Sequence, residues 1–361
     1  MTAAPPRTGP KPVGRLSGLR PYEPPAPEFS IDLRLDANEG PPSDAGRLAR
    51  LLNNLGGTLP ELLRRYPDAS ALERRLAELH GVDPARIVVT TGGDDAIDRL
   101  CRAVLEPGRE AIVHLPTFVM IPRGIRLAGA TPVEIPWREG PFPRGDALDK
   151  IAPSTAMIAL VTPNNPTGAV IETRDILAIA DAAPHAAVLV DLAYVEFADA
   201  DPTPALLTRP NAVLVRTFSK ARGLAGLRVG YAIAPPEIAR WLRTTGSPYP
   251  VSALSLAIAG AVLDDPASLA ATVERARAER GALFALLTGL GARPLPSQAN
   301  FVTARLADAE SARRALAERG IAVRAFPKPG TEDLLRITLP GDEQGFARLK
   351  AALAESIRST A

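Results

Sequence analysis

The middle of the chain repeats one hydrophobic pattern. Short apolar runs of strand length alternate with turns and with stretches whose apolar residues recur at helical spacing. The expected strands are 87–90, 111–114, 131–135, 156–161, 187–190, 212–215 and 229–234, and the expected helices are 44–55, 71–80, 96–105, 173–183 and 236–244. This alternation predicts an α/β fold, a mostly parallel sheet covered by helices on both faces.

The pattern changes after Ala234. A long amphipathic helix is expected over 268–290, followed by strand, helix, two strands and helix between 300 and 357, which is typical of a smaller α+β unit. The first residues are rich in Pro, Gly and Arg and read as an extended arm. We therefore predict an arm over 1–30, a large domain over 31–245 and a small domain over 246–361.

Composition excludes several classes of function. With 361 residues, 46% hydrophobic content and a net charge of +2, nothing favours binding to nucleic acid or to an anionic membrane. No apolar run approaches the ~20 residues that span a bilayer, and there is no signal-peptide core, so a cytoplasmic location is expected. The single cysteine, Cys101, cannot form an internal disulfide, and the three histidines lack metal-ligand spacing.

One lysine stands out as a candidate for chemistry. Lys220 lies between two apolar runs, on a tight connection at the end of a predicted strand, where open α/β sheets bind their ligands. A lysine held partly out of water there can lose its proton and attack a carbonyl group. A solvated surface lysine is the ordinary alternative, so the rest of the chain must decide.

Three other strand ends carry polar residues. Gly92 and Gly93 open a helix whose backbone N–H groups could bind phosphate, although such turns are common. Asn165 could donate to a phenolate oxygen. Asp191 ends an apolar strand, where a carboxylate is costly unless it meets a cation or caps a helix, and Tyr194 follows three residues later.

These residues fit one kind of ligand, a pyridine ring that carries a phosphate, a phenolic oxygen and an aldehyde. Lys220 would bind the aldehyde, and Asp191 would keep the ring nitrogen protonated. The remaining contacts would come from Asn165 and Tyr194 at the phenolic oxygen, Phe118 over the ring, and Gly93, Ser219 and Arg228 at the phosphate. The protonated ring accepts electrons from a carbanion, and Lys220 could then carry the proton.

Ten motifs occur in one order along the chain and carry a family resemblance. They are Leu-Asp-Ala-Asn-Glu at 35–39, Tyr-Pro-Asp at 66–68, 92–98, Asn-Asn-Pro-Thr-Gly at 164–168, 191–197, Thr-Phe-Ser-Lys at 217–220, 224–228, 300–301, 323–324 and 335–338. From Leu19 to about Leu353 the chain resembles the fold-type I, pyridoxal-phosphate-dependent aminotransferases of class I and II. Within that class it is most similar to the histidinol-phosphate aminotransferase family.

The resemblance implies a reaction and a set of residue roles. The reaction would be transamination of histidinol phosphate and 2-oxoglutarate to imidazole acetol phosphate and glutamate, a step of histidine biosynthesis. Lys220, Asp191 and Tyr194 would be catalytic. The cofactor would also contact Gly92, Gly93, Asp94, Phe118, Asn165, Thr217, Ser219 and Arg228, together with Tyr66 from the second subunit of a homodimer. Substrate would contact Tyr22, Asn38, Arg324 and Arg336, with Arg336 serving both the glutamate carboxylate and, with Arg324, the phosphate.

The chain departs from the family pattern at four positions. Phe118 stands where tyrosine is usual, Leu192 replaces a glutamate, Gly40 replaces an asparagine, and Arg222 replaces an apolar or aromatic residue and adds positive charge close to Lys220. These departures leave open an aminotransferase of aromatic or other amino acids, or a decarboxylase of threonine phosphate.

Two readings of other classes are less favoured. A protein that binds the cofactor without turnover would be expected to lack Lys220 or Asp191, and both are present. A dehydrogenase would require a Gly-x-Gly-x-x-Gly motif after the first strands, and the chain has none there.

Overall fold

The computed structural model describes residues 12–16, 18–21, 28–42 and 45–358. Its helices are α1 (Ala45–Leu55), α2 (Leu59–Arg64), α3 (Ser70–His80), α4 (Gly92–Val104), α5 (Met120–Ala128), α6 (Arg144–Asp149), α7 (Thr173–Ala182), α8 (Thr203–Leu206), α9 (Pro236–Thr244), α10 (Ala253–Val262), α11 (Pro266–Gly289), α12 (Ala309–Ala317) and α13 (Glu343–Arg358). Its strands are β1 (Leu33–Arg34), β2 (Ile87–Thr90), β3 (Glu110–Leu115), β4 (Thr131–Pro136), β5 (Thr155–Val161), β6 (Ala187–Asp191), β7 (Ala212–Thr217), β8 (Gly230–Ile233), β9 (Arg293–Pro294), β10 (Phe301–Arg305), β11 (Ile321–Ala322), β12 (Arg324–Ala325) and β13 (Leu334–Thr338).

Seven strands form the main sheet, in the order β2-β8-β7-β6-β5-β3-β4. The pairs from β7 through β6, β5 and β3 to β4 are parallel, and β8 runs antiparallel to both of its neighbours. This arrangement confirms the predicted mostly parallel sheet. The continuous apolar strands are explained by their burial, since every residue of β5, β6 and β7 is buried.

Alternate residues of the central strands pack into two separate cores. Ile158 and Leu160 of β5 join α3, α7 and α10 on one face, whereas Met157 and Ala159 join α4, α5 and α9 on the other. The period of two along the strand therefore supplies both helix layers with apolar contacts. Covering the sheet on both faces leaves its strand ends as the place where polar groups can gather.

A second, antiparallel sheet has the order β12-β13-β10-β9 and packs with α11, α12 and α13 around its own core. The short strand β1, early in the chain, pairs in parallel with β11, so that Leu33 lies opposite Ile321. The segment after the N-terminal arm is thus attached to the C-terminal part of the molecule. The predicted domain boundaries stay a prediction.

The structure differs from the sequence predictions mainly in its short strands and helices. The alternating run 31–36 forms only the two-residue β1, the run 321–324 is split between β11 and β12, and the short helices α2, α6 and α8 were not expected. Helix α3 begins at Ser70, one residue before the expected start, and the Ser70 N–H donates to the Asp68 carboxylate at 2.9 Å. Segments this short carry too few residues to show a period.

Within the described residues, no single helix has both the length and the hydropathy to cross a bilayer. Helices α10 and α11 pass that test of length and composition only when taken together, and they are bent by 79° relative to each other. The cytoplasmic location stays a prediction.

Candidate active site

The carboxyl ends of β5, β6 and β7 lie side by side. Val161 is opposite Asp191, and Asp191 is opposite Val215, two residues before β7 ends at Thr217. Parallel pairing in this register brings the loops that follow these strands to one edge of the sheet. The Asn165 loop, the Asp191 segment and the Lys220 loop therefore begin at neighbouring points.

Lys220 lies in the loop that connects β7 to β8. Its Nζ donates to the Ala37 carbonyl at 3.1 Å and lies 5.7 Å from the centre of the Tyr194 ring. Burial, and next the positive charge of Arg336, lower the pKa of Lys220 to about 8. A substantial fraction of this amine is therefore neutral and nucleophilic close to neutral pH.

Asp191 ends β6 as a buried carboxylate. Its Oδ1 accepts from the Ala193 N–H at 3.0 Å, and burial raises its pKa to about 7. Among the residues that the structure describes, no lysine or arginine forms a salt bridge with it. A carboxylate in this condition is stabilised by a cation, and a protonated ring nitrogen is a cation of suitable size.

Tyr194 is buried three residues after Asp191. Its Oη accepts from Asn38 Nδ2 at 3.0 Å, and its ring meets Phe301 edge to face with centroids 5.3 Å apart. Burial raises the pKa of Tyr194 to about 12. The side chain is therefore a neutral hydroxyl, able to donate a hydrogen bond, throughout the physiological range.

Arg336 connects the small sheet to this group of residues. Its Nη1 donates to Asn165 Oδ1 at 2.5 Å, and its Nη2 donates to the Asp36 carbonyl at 2.6 Å. The buried guanidinium also lies 5.5 Å from the Phe301 ring and 5.6 Å from the Phe326 ring. Asn165 and Arg336, predicted for cofactor and substrate respectively, are thus in direct contact.

Arg324 lies directly opposite Arg336 on the neighbouring strand, because β12 and β13 are antiparallel with these two residues in register. Side chains of an opposed pair share one face of a sheet, and like charges in that position repel each other. An anion bound between the two guanidinium groups would offset the repulsion.

A group of anion-binding donors surrounds the start of α4. Gly92 has a φ of +75°, which strains any other residue, and a Cβ there would come within 2.6 Å of Arg228 Nη2 and displace this guanidinium. Arg228 contacts the Asp94 carboxylate at 3.4 Å. In the lysine loop, Thr217 Oγ1 and Ser219 Oγ are 2.9 Å apart. Helix N–H groups, hydroxyls and a guanidinium are a donor set that fits a phosphate.

The donors and charges of the site therefore fit a phosphorylated pyridine aldehyde. The carboxylate of Asp191 suits its ring nitrogen, the amine of Lys220 suits its aldehyde, and the hydroxyl of Tyr194 suits its phenolic oxygen. Among the described residues, no group of three His, Cys, Asp or Glu side chains is arranged to hold a metal ion.

The remaining predicted residues occupy other places. Phe118 is half-buried just before α5 and packs on the core beneath α4 and α5. Tyr66 is 81% exposed and stacks on Tyr249 with ring centroids 4.6 Å apart. Tyr22 lies outside the described residues. Asn38 is buried, and its amide contacts Tyr194.

Three of the four departures from the family pattern have a structural account. Gly40 is required because a Cβ there would lie 2.1 Å from the Lys220 carbonyl oxygen. Leu192 is fully buried in the core. Arg222 donates to the Val262 carbonyl at 3.3 Å and lies over the Phe218 ring, so its charge is directed toward α10.

Comparison with known proteins identifies relatives over nearly the whole chain. The family model for aminotransferase class I and II matches residues 43–353. The chain is 35% identical to histidinol-phosphate aminotransferase 2 of Methylococcus capsulatus, over 92% of this chain and 94% of the relative. It is also 35% identical to the histidinol-phosphate aminotransferase of Roseiflexus castenholzii, over 92% of this chain and 95% of the relative.

Two solved structures extend the comparison. The histidinol-phosphate aminotransferase of Sinorhizobium meliloti, in complex with pyridoxal-5'-phosphate, has a TM-score of 0.86 at 26% identity, covering 98% of this chain and 100% of that one. The L-threonine-O-3-phosphate decarboxylase of Porphyromonas gingivalis has a TM-score of 0.76 at 24% identity, covering 91% of this chain and 99% of that one, and shares the fold.

The low pKa of Lys220 can be measured directly. In protein without bound cofactor, brief acetylation across a pH series followed by mass spectrometry should show Lys220 modification rising with pH around a midpoint of about 8, well below the ordinary value of 10.5, because only the neutral amine reacts. Arg336→Ala should raise that midpoint by removing a repulsive charge. A wild-type midpoint near 10.5 would contradict the burial argument.

Proposed function

Because the chain belongs to the aminotransferase class I and II family, we propose that it transfers the amino group of histidinol phosphate to 2-oxoglutarate, with pyridoxal phosphate as its cofactor. The observation that carries the choice of substrate is the pair Arg324 and Arg336, which face each other across β12 and β13 close to Asn165. The two relatives at 35% identity, both named for histidinol phosphate, support the same choice.

When bound, pyridoxal phosphate supplies an electron sink that stabilises negative charge on the substrate carbon next to the amino nitrogen. The residues of the chain orient it and move protons. Lys220 would hold the aldehyde carbon until the amine of the substrate displaces it, and its released amine would then take a proton from the substrate carbon and return it to a neighbouring atom. Asp191 keeps the ring nitrogen protonated, since its buried carboxylate is stabilised by that positive charge.

The phosphate of the cofactor is assigned to the start of α4, where Gly93, Ser219 and Arg228 contribute N–H, hydroxyl and guanidinium donors. The phenolic oxygen is assigned to Asn165 and Tyr194. We assign Phe118 to the face of the ring, as the resemblance implies.

The opposed arginines explain how one pocket could serve two substrates. Arg336 would form a bidentate pair with the carboxylate of glutamate in one half-reaction. With Arg324 it would bind the phosphate of histidinol phosphate in the other. In both cases an anion offsets the repulsion between the two guanidinium groups.

An aminotransferase acting on aromatic or other amino acids is the second candidate. Phe118 favours it, because a phenyl ring retains stacking but lacks the hydroxyl that tyrosine would present near the substrate. Both candidates use the same cofactor chemistry and differ in the amine donor.

The test is the visible absorbance of the cofactor-loaded protein. Adding histidinol phosphate without a keto acid should abolish the yellow band as the amino group passes to the cofactor, and 2-oxoglutarate should restore it. Lys220→Ala, which cannot attach the aldehyde, should show neither the band nor turnover. If the yellow protein responds only to aromatic amines, the proposed substrate is wrong and the second candidate is correct. If it releases CO2 from threonine phosphate, the proposed reaction is wrong and the protein is a decarboxylase.

Arg336→Ala should weaken the binding of both glutamate and histidinol phosphate, by about 2–5 kcal/mol each, because a buried charged partner is lost. Arg324→Ala is the matched variant and should weaken histidinol phosphate much more than glutamate. Half-reaction titrations with each amine measure both effects. A loss confined to one substrate in Arg336→Ala would contradict the shared role of this arginine.

We further propose that the protein is a homodimer in which Tyr66 reaches the cofactor phosphate of the second subunit. The support is an exposed apolar surface formed by Leu63, Tyr66 and Tyr249, with Leu63 70% exposed and the two tyrosines stacked on each other. Large exposed apolar groups in one place are typical of protein interfaces.

Mixed subunits test this assembly. If Tyr66 acts across the interface, inactive Lys220→Ala protein unfolded and refolded with a poorly active Tyr66→Ala protein should regain roughly one quarter of the wild-type sites, because half the dimers are hybrids with one intact site. Light scattering checks the dimer mass. A monomeric mass, or no regain of activity in confirmed hybrids, would rule out the shared site.

A further inference from the structure

Asn38 occupies a special position in the backbone between β1 and α1. Its φ is +53°, a left-handed conformation that asparagine tolerates better than most residues, and its side chain is 1% exposed. The Asn38 N–H donates to Thr338 Oγ1 at 3.1 Å, and Asn300 Nδ2 donates to the Glu39 carbonyl at 3.0 Å. The segment is therefore held in place on both sides of Asn38.

The hydrogen bonds around Asn38 form a directed chain that runs from Thr338 to Tyr194. Thr338 Oγ1 accepts from the Asn38 N–H and donates its single hydrogen to Asn38 Oδ1, 3.0 Å away. With Oδ1 fixed on Thr338, the amide presents Nδ2 to Tyr194 Oη at 3.0 Å. An amide nitrogen is a donor only, so the Tyr194 oxygen must accept.

Because Tyr194 Oη accepts a hydrogen bond from Asn38, its own hydrogen is directed to a different partner. Without this contact, the hydroxyl could rotate and present its lone pairs to a ligand. A donated hydrogen bond also polarises the hydroxyl and makes it a stronger donor. Asn38 and Thr338 thus determine both the direction and the strength of the one hydrogen bond that Tyr194 can donate.

We propose that Asn38, oriented by Thr338, is a positioning residue that directs the hydroxyl hydrogen of Tyr194 at the phenolic oxygen of the bound cofactor. The proposal rests on the function proposed above, which assigns that oxygen to Tyr194. In this proposal Asn38 acts through Tyr194, whereas the sequence led us to expect that Asn38 contacts the substrate directly.

The relay begins on the strand that binds the substrate. Thr338 and Arg336 are two residues apart on β13 and share one face of it. Arg336 contacts Asn165, and Thr338 acts through Asn38 on Tyr194. One strand of the small sheet therefore reaches both residues assigned to the phenolic oxygen.

The test is a pH titration of the visible absorbance of the cofactor-loaded protein, without substrate. Tyr194 donation disperses negative charge on the phenolic oxygen, so its loss favours the protonated form of the chromophore. Tyr194→Phe should raise the midpoint by about 0.4–1 pH unit. Asn38→Gly, which accepts the positive φ and removes only the side chain, should raise it in the same direction, as should Thr338→Val.

Three controls separate positioning from general damage. Thr338→Ser retains the hydroxyl and should keep the wild-type midpoint. Thr155→Val removes a buried threonine hydroxyl at the opposite end of β5, where it accepts from the Ala152 N–H at 3.0 Å, and should also leave the midpoint unchanged. In the Tyr194→Phe background, Asn38→Gly should add no further shift, because the two residues act through one hydrogen bond.

The outcomes distinguish the relay from the function on which it rests. A shifted midpoint in Tyr194→Phe with an unshifted one in both Asn38→Gly and Thr338→Val would overturn the relay alone. Additive shifts in the double variant would overturn it as well. An unshifted Tyr194→Phe protein would remove the proposed role of Tyr194 and the relay together.

Discussion

Parallel pairing of β5, β6 and β7 is the constraint on which the site depends. Because Val161, Asp191 and Val215 are in register, the loops that follow these strands begin at one edge of the sheet. The pairing is stabilised by two apolar cores, since alternate strand residues pack against helices on either face. The rigid sheet therefore holds the functional residues in place, while the loops determine which residues these are.

Burial then prepares these loop residues for a ligand. It raises the pKa of Asp191 to about 7, lowers that of Lys220 to about 8 and raises that of Tyr194 to about 12, in each case disfavouring the charged form. A bound pyridine aldehyde offers each group what it lacks, namely a cation for the carboxylate, a carbonyl for the amine and an acceptor for the hydroxyl. The desolvation that is costly in the free protein thus favours the ligand.

The small sheet completes the site from the other side. Strand β13 carries Arg336 to Asn165 and Thr338 to Asn38, and β12 sets Arg324 opposite Arg336. The segment around Asn38 is attached to the same part of the molecule, because β1 pairs with β11. The small sheet therefore carries two sets of groups. Arg324 and Arg336 would recognise the substrate, and Thr338 orients the Tyr194 hydroxyl through Asn38.

Local sequence was sufficient to determine the alternation of strands and helices, since a period of two or of 3.6 is written into neighbouring residues. It also placed Lys220, Asp191 and Asn165 at strand ends, because a polar residue that directly follows an apolar run can be recognised in the sequence. Only the tertiary structure decided that Thr338 orients Asn38 across 300 residues of sequence, that two arginines oppose each other, and that Gly40 must lack a side chain beside the Lys220 carbonyl. The physical reason is that register, desolvation and hydrogen-bond direction arise between segments that meet only after folding, and no local pattern encodes them.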